Sequence, residues 1–241
     1  MVSKDSNQIR RMFDAVALRY DCVNRLVSMR RDVAWRRAMV AALPEKPDLR
    51  VLDLATGTGD VAMALQYPNS PVGHVVGADV SMGMLQLAQR KMAGRACAAT
   101  TALVQTDAAA LCCRDNAFDA LTIAFGVRNF TDLDAGLREM CRVLHPNGRA
   151  LILEFSLPTS RMIRVPYLLY FRHVLPVIAG LISRQTAAYR YLNRSVEDFP
   201  YGSSFCALLK QAGFTDVRAH PLTFGVATLY IAHKPDSPTP A

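Results

Sequence analysis

The chain has 241 residues, of which 51% are hydrophobic and 20% are charged. This composition fits one globular domain with a full core and excludes a disordered chain. The formal net charge of +8 favours an anionic partner, a nucleic acid or an anionic membrane face, although a basic solvated surface explains it equally well. None of the six cysteines forms a Cys-x-x-Cys pair and the N-terminus has no apolar signal segment. We therefore expect reduced thiols and a cytoplasmic location.

The predicted elements begin with a helical cap over residues 1–46, where apolar residues recur at spacings of three and four. From residue 50 the pattern alternates between strand and helix. The predicted strands cover 50–55, 74–81, 102–107, 118–126 and 149–155, and the helices between them cover 59–66, 82–94 and 132–144. This alternation predicts an α/β fold with a doubly wound, mostly parallel sheet.

The C-terminal third departs from that alternation. Residues 158–194 are predicted to form a helical insertion that acts as a substrate lid, and its apolar stretch 165–182 carries Arg172 at its centre, which argues against a membrane span. A helix over 195–213 and two strands joined by a short turn follow, and the Pro-rich tail 235–241 is expected to be disordered. A sheet that ends in an antiparallel hairpin is typical of class I methyltransferases with a Rossmann-like fold.

A Gly-rich loop, DLATGTGD at residues 53–60, lies where the first strand meets the first helix. Gly57 and Gly59 allow a tight turn and a close approach of the backbone to a ligand. Asp79 ends the second strand, 20 residues after Gly59, where a carboxylate can accept both ribose hydroxyls of a nucleoside. The loop therefore predicts a nucleoside-binding site.

Two nucleoside ligands fit this loop. Gly57, Gly59 and Ala62 satisfy the dinucleotide pattern of NAD sites. However, Asp53 precedes the loop, where its carboxylate would repel a pyrophosphate and attract the ammonium of a methionine moiety. The third strand ends in Thr106-Asp107-Ala108, where a polar side chain can reach an adenine edge. These features favour S-adenosylmethionine (SAM) over NAD, and a Gly-rich turn without any ligand is the third interpretation.

The chain resembles the ubiquinone/menaquinone biosynthesis C-methyltransferases over about residues 9–234. The segments that carry the resemblance are VALRYDCVNRLVS (16–28), DLATGTGD, the run 122–156, AYRYLNRSVEDFP (188–200) and AGFTDV (212–217). The resemblance implies SAM as cofactor, with contacts from Thr58, Asp79, Asp107 and Ala108. It implies methylation of a ring carbon of a polyprenyl quinol, with demethylmenaquinol favoured and a benzoquinol left open. Ala124 stands where some members carry a serine that contacts SAM, so we expect that contact to be absent.

Ring methylation also needs groups that generate and stabilise a phenolate. Arg128 and Asn129 follow the fourth strand, where Arg128 could stabilise the phenolate and Asn129 could orient a hydroxyl or a water. Tyr189, in the insertion, could reach the substrate. The alternative for Arg128 is an ion pair at the rim of the sheet, and Glu154 is either a base or a structural carboxylate.

The remaining expectations concern partners. Tyr20 and Asp21 could close over the cofactor. The cluster Arg30, Arg31, Arg36 and Arg37 could meet anionic headgroups in a peripheral contact with the cytoplasmic membrane, or form a solvated helix face. We expect no metal and no nucleic-acid partner, and the oligomeric state stays open, a homodimer included. The competing functions are methylation of another acceptor, RNA included, and a non-catalytic SAM-binding scaffold in quinone synthesis.

Overall fold

A computed structural model describes residues 10, 14, 25, 28, 30–158, 160–170 and 195–236. Most of the predicted N-terminal cap, most of the predicted insertion and the end of the tail lie outside these residues. Tyr20, Asp21, Tyr189 and the central Arg172 fall in those parts, so the predictions made for them stay predictions. No helix in the described part of the chain is long and apolar enough to cross a membrane.

Seven strands form one sheet in the order β3-β2-β1-β4-β5-β7-β6. The first five strands run parallel, whereas β7 is antiparallel to both β5 and β6. The strands are β1 Leu49–Leu54, β2 Val72–Asp79, β3 Thr101–Gln105, β4 Phe118–Ala124, β5 Leu144–Phe155, β6 Thr215–Leu222 and β7 Ala227–His233. The predicted doubly wound sheet with a C-terminal hairpin is thus confirmed.

Helices cover both faces of this sheet. Within the described residues they are α1 Asp32–Val40, α2 Asp60–Ala64, α3 Met82–Met92, α4 Leu133–Val143, α5 Arg161–Leu169 and α6 Ser203–Gln211. Ser81 caps α3 by accepting the Met84 N–H at 3.1 Å, and Asp132 caps α4 by accepting the Ala135 N–H at 2.9 Å. Both side chains satisfy amide groups that the first turn of a helix leaves without a backbone partner.

The fifth strand is longer than its sequence pattern predicts. It begins at Leu144, directly after α4, and residues 145–148, which separate the predicted helix from the predicted strand, form a bulge within it. Leu144 pairs with Phe118, and the pairing resumes only at Arg149 opposite Ala120. Asn147 takes a positive φ of 62° there, a conformation that asparagine tolerates better than most residues.

The core consists of two layers, one on each face of the sheet. Alternate residues of β5 pack into the two layers. Leu151 and Leu153 lie on the side of α1, whereas Ala150 and Ile152 lie on the side of α4. This alternation follows from the two-residue period of a strand. Burial on both faces explains why these strands read as continuous apolar runs in the sequence.

The strand order changes direction between β1 and β4, and this position is the topological switch point of the sheet. From β1 the chain goes outward to β2 and β3, then returns to pair β4 with the other side of β1. The connections after β1 and β4 therefore leave in opposite directions and open a crevice at the carboxyl ends of the strands. In open α/β sheets, ligands bind in this crevice.

Candidate active site

A cleft occupies the switch point. The space between its walls is about 690 Å³, which includes the part open to solvent. Its wall is built from the ends of β1, β2 and β4 and the segment after β3. The lining residues are Leu54, Ala55, Gly57, Asp79, Val80, Met84, Thr106, Asp107, Ala108, Phe125, Gly126, Asn129, Phe130 and Thr131.

Five of the ten site residues predicted from the sequence line this cleft. They are Gly57, Asp79, Asp107, Ala108 and Asn129. Four others, Asp53, Thr58, Gly59 and Arg128, lie behind its wall, and Tyr189 is outside the described residues. The two groups differ because a strand end presents only some of its side chains to the crevice.

Asp79 joins two loops of the cleft. Its Oδ2 accepts the Gly57 N–H at 2.8 Å, and its Oδ1 accepts the Ser81 N–H at 2.9 Å. Burial raises the pKa of Asp79, and the amide groups of Ser81 and Gly57 oppose that rise. The carboxylate therefore ties the Gly-rich loop to the end of β2 and still lines the cleft.

Asp53 is fully buried beneath the same loop. Its Oδ2 accepts the Thr56 hydroxyl at 2.6 Å, and its Oδ1 accepts the Thr122 hydroxyl at 2.8 Å. Burial raises its pKa from an ordinary 3.8 to about 6, although both hydroxyls lower it. Because both oxygens face threonines, Asp53 acts here by holding the loop against β4.

Thr58 and Gly59 form the start of α2. The Thr58 hydroxyl accepts from Lys91 Nζ at 3.1 Å, and Lys91 also pairs with Asp60 at 2.5 Å. Gly59 has a φ of 82°, and a Cβ at that position would lie 3.1 Å from the Ala88 Cβ. Gly59 is thus required by a left-handed turn and by the close approach of α3.

The ends of β4 and β1 each bring one strained residue to the cleft. Phe125 and Ala55 have positive φ angles of 58° and 51°, which is rare for residues with a Cβ and concentrates at functional sites. Gly126 follows Phe125, and a Cβ on it would lie 2.5 Å from the Ala55 Cβ. The ends of β1 and β4 are therefore packed as closely as their backbones allow.

Arg128 lies behind this turn in a buried ion pair. Its Nη1 donates to Glu154 Oε1 at 2.7 Å and also to the carbonyl oxygen of Phe125. This is the rim ion pair that the sequence left as the alternative for Arg128, and it makes Glu154 a structural carboxylate. Asn129, one residue later, lines the cleft, with its amide 3.5 Å from the same Phe125 carbonyl.

An aromatic cluster that the sequence analysis did not identify supports the turn. The Phe125 ring lies 4.5 Å from that of Phe155 and 6.1 Å from that of Trp35, measured between centroids. The Trp35 indole donates to the Thr223 hydroxyl at 2.8 Å. These residues are far apart in the chain, so no local pattern groups them.

The position of Arg36 corrects a further prediction. Its guanidinium is buried, pairs with Asp32 at 2.6 Å and Asp60 at 3.5 Å, and lies 6.0 Å from the centre of the Phe125 ring. Only about a tenth of its side chain is exposed, because two carboxylates hold the guanidinium, so its inclusion in a surface cluster is wrong. Arg30, Arg31 and Arg37 are exposed.

Comparison with known proteins decides the family. The model of the ubiE/COQ5 methyltransferase family matches residues 1–234. The chain belongs to this family. It is 45% identical to the ubiquinone/menaquinone biosynthesis C-methyltransferase UbiE of Geobacter sulfurreducens, over 97% of this chain and 91% of that protein. It is 46% identical to the demethylmenaquinone methyltransferase of Thermus thermophilus, over 93% of this chain and all of that protein.

Solved structures agree on the fold of this methyltransferase. A SAM-dependent methyltransferase from Thermotoga maritima matches with a TM-score of 0.66 and 17% identity, over 94% of this chain and 99% of that chain. A phosphoethanolamine N-methyltransferase from Haemonchus contortus, in complex with SAM, matches with a TM-score of 0.62 and 15% identity, over 83% of this chain and 52% of that chain. These likenesses establish the class I methyltransferase fold.

The raised pKa of Asp53 predicts a pH-dependent stability. A carboxyl whose pKa rises from 3.8 to about 6 on folding stabilises the fold below pH 4, and that contribution is lost as the pH rises through 6. Replacing Asp53 by Asn removes the titration. Between pH 4 and pH 7, the difference in unfolding free energy between Asp53→Asn and the native chain should therefore shift in favour of the variant by roughly 2 kcal/mol, measured by urea unfolding.

Asp119 provides the control for that measurement. Burial would raise its pKa, but the Arg50 amide and Lys46 together lower the pKa below its ordinary value of 3.8. Asp119 therefore titrates below the range of pH 4 to pH 7 used for Asp53. Asp119→Asn should leave the difference constant from pH 4 to pH 7. If the difference in unfolding free energy between Asp53→Asn and the native chain is also independent of pH, burial does not raise the pKa of Asp53.

Proposed function

We propose that this methyltransferase binds SAM in the cleft and transfers its methyl group to a ring carbon of a polyprenylated quinol. The observation that carries the proposal is the buried Asp79 carboxylate, which lines the cleft at the end of β2 beside the Gly57 backbone. The names of the two relatives, a ubiquinone/menaquinone biosynthesis C-methyltransferase and a demethylmenaquinone methyltransferase, point to the acceptor.

The cleft fits the nucleoside part of SAM. Each Asp79 oxygen accepts one backbone N–H, and a carboxylate oxygen can accept a second hydrogen bond, here from a ribose hydroxyl. Val80, Met84 and Ala108 supply apolar surface for an adenine ring, and Asp107 lines the cleft next to them. We assign Asp79, Asp107 and Ala108 to the nucleoside and the Gly57 backbone to the methionine part.

The charges near the loop favour SAM over NAD. Asp53 lies under the loop, where a dinucleotide would place its pyrophosphate, whereas the Asp60 carboxylate that opens α2 is paired with Lys91 and Arg36. The Asp53 carboxylate opposes a pyrophosphate and attracts an ammonium or a sulfonium. Asp53, Thr58 and Gly59 then shape the loop that holds the cofactor.

The chemistry divides between cofactor and protein. SAM supplies a methyl group on a positively charged sulfur. The acceptor carbon becomes nucleophilic when a neighbouring ring hydroxyl loses its proton, and the ring regains its aromatic form when the carbon loses its hydrogen as a proton. Asn129, which lines the cleft, is placed to orient that hydroxyl or a water.

Arg128 contributes to the same step from behind the wall. Its bonds to Glu154 and the Phe125 carbonyl hold the turn that carries Asn129. Tyr189, from the insertion, is proposed to contact the quinol ring.

The acceptor we propose is demethylmenaquinol, with a benzoquinol of the ubiquinone pathway as a second substrate. The polyprenyl tail places such an acceptor in a lipid bilayer, so we propose that the enzyme works at the cytoplasmic face of the membrane. Each buried methylene of the tail is worth ~0.8 kcal/mol, which makes even a partly enclosed tail a strong anchor.

The assignment predicts the products of a direct assay. The enzyme, given SAM with a tritiated methyl group and short-tailed reduced quinones, should label the demethylnaphthoquinol ring, and the benzoquinol more slowly. Extraction and chromatography measure the label, with heat-denatured enzyme as the control. Label in neither quinol would contradict the proposed acceptor class.

The proposed roles of Asp79 and Asn129 predict that one substitution weakens SAM binding and the other slows turnover. Asp79→Ala removes the two proposed hydrogen bonds from the ribose hydroxyls to the carboxylate, each worth ~1.5–3 kcal/mol. Calorimetry should therefore show the SAM affinity lowered at least about 100-fold. Asn129→Ala should keep the SAM affinity within about threefold and lower turnover about 100-fold. Equal loss of SAM affinity in both variants would refute this division of roles. Arg128 is unsuitable for this comparison because its removal leaves Glu154 buried without its cation.

The close contact of Gly126 with Ala55 predicts a rescue. Gly126→Ala places a Cβ 2.5 Å from the Ala55 Cβ, so the turn must move and SAM affinity should fall at least about tenfold. Adding Ala55→Gly removes that contact and also a strained φ of 51°, so the double variant should recover most of the affinity. Recovery stays incomplete because Ile123 remains 3.2 Å away. A double variant as weak as Gly126→Ala would show that the Ala55 contact is irrelevant.

A further inference from the structure

Helix α5 presents an apolar face to solvent. Met162, Val165 and Leu169 are 88%, 50% and 56% exposed, whereas Tyr167, on the opposite side, is buried. The spacing of three and four residues puts the three exposed side chains on one stripe of the helix. Scattered apolar residues on a surface need no explanation, but a continuous stripe of them does.

Phe224 adds to this surface at the turn between β6 and β7. Its ring is 76% exposed, and its backbone has a φ of 58°, an unusual conformation for a bulky residue. The Ser156 amide donates to the Val226 carbonyl at 3.0 Å, and the Ser156 hydroxyl donates to the Gly225 carbonyl at 2.8 Å. The turn is thus fixed to the carboxyl end of β5.

Both features lie at the edge of the sheet that carries the cleft. Tyr167, on the buried side of α5, belongs to the same apolar layer as Phe155 at the end of β5 and Val226 after the Phe224 turn. Helix α5 and the Phe224 turn are therefore both held at the carboxyl end of β5, on the side where β1, β2 and β4 open the cleft. We call Met162, Val165, Leu169 and Phe224 the apolar rim.

The charge around the rim identifies its partner. Arg161 and Arg164 are exposed on α5, and no Asp or Glu occurs between residues 156 and 170. Apolar side chains bordered by cations match the boundary between acyl chains and anionic headgroups. A second copy of this chain matches less well, because a twofold contact would bring the same arginines together without a carboxylate from this segment.

We propose that the apolar rim rests on an anionic lipid bilayer, with Met162, Val165, Leu169 and Phe224 among the acyl chains and Arg161 and Arg164 against lipid phosphates. This surface deepens the proposed function and rests on it for its purpose, since a quinol with a polyprenyl tail must reach the cleft from the bilayer. The contact directs the carboxyl edge of the sheet, and with it the cleft, toward the membrane.

Vesicle binding without SAM tests the surface directly. The full chain should float with vesicles of phosphatidylglycerol and phosphatidylcholine, and bind vesicles of phosphatidylcholine alone at least tenfold more weakly. Met162→Ser and Phe224→Asn should each lower the partition coefficient at least fivefold. Asn suits the left-handed backbone at position 224. Arg161→Gln with Arg164→Gln should remove the preference for phosphatidylglycerol.

Tyr67→Asn is the matched control. Tyr67 is also a large, exposed side chain, and it lies beyond the C-terminal end of α2, away from the cleft edge. Its variant should bind vesicles within twofold of the native chain. Equal weakening by Tyr67→Asn and Met162→Ser, or no vesicle binding by the native chain, would overturn the proposal.

Two substrates separate this proposal from the proposed function. With a short-tailed, water-soluble quinol, the variant Met162→Ser/Phe224→Asn should keep its rate within twofold, because neither residue lines the cleft. With a long-tailed quinol in vesicles, its rate should fall at least tenfold. A native chain that methylates the soluble quinol but does not bind vesicles overturns the membrane surface alone, and one that binds vesicles but methylates neither quinol overturns the proposed function alone.

Light scattering after gel filtration tests the competing partner. If the native chain is a dimer that Met162→Ser converts to a monomer, a second copy covers the rim and the proposal is wrong. A mass that is the same for both proteins agrees with a rim that is free to meet the bilayer.

Discussion

The carboxylate of Asp79 is the group on which the cleft depends. It accepts the Gly57 amide from the loop after β1 and the Ser81 amide from the loop after β2, so one side chain fixes the distance between two neighbouring connections. Ser81 in turn caps α3. The position of the Gly-rich loop, the start of α3 and the floor of the cleft are therefore set together.

Two buried acids at this edge have no direct ion pair within the described part of the chain. Asp53 is bonded to two threonine hydroxyls and Asp79 to two amides, and burial raises the pKa of both. Such carboxylates are costly for the fold, and the cost falls when a cation or a set of hydroxyl donors approaches. The edge is thus prepared for a positively charged nucleoside, whereas Arg128 and Glu154 neutralise each other behind it.

The residues that form the apolar core and those that form the cleft occupy different parts of the strands. The apolar layers around Leu151 and Ile152 extend over both faces of the sheet, while the strained residues Ala55 and Phe125 and the exposed Phe224 all lie at the carboxyl edge. Strain and exposed apolar surface are tolerated at that edge because the sheet below is continuous and well packed. Cleft and rim can therefore share one side of the molecule.

The sequence by itself determined the succession of strands and helices along the chain, the C-terminal hairpin and the part of the cleft that Gly57 and Asp79 line. These features follow from local signals: apolar runs, Gly57 and Gly59 at a strand end, and an acid 20 residues later. The start of β5 could not be set in the same way, because the bulge at 145–148 depends on pairing with β4. A local pattern contains no information about a partner strand.

Only the tertiary structure decided which side chains face the cleft. Thr122 reaches Asp53 across 69 residues of sequence, Glu154 reaches Arg128 across 26, and Trp35 packs on Phe125. The contact with Glu154 turned Arg128 inward and left Asn129 at the surface of the cleft. The physical reason is that a charged side chain is placed by its partner, and partners from distant strands meet only when the sheet has formed.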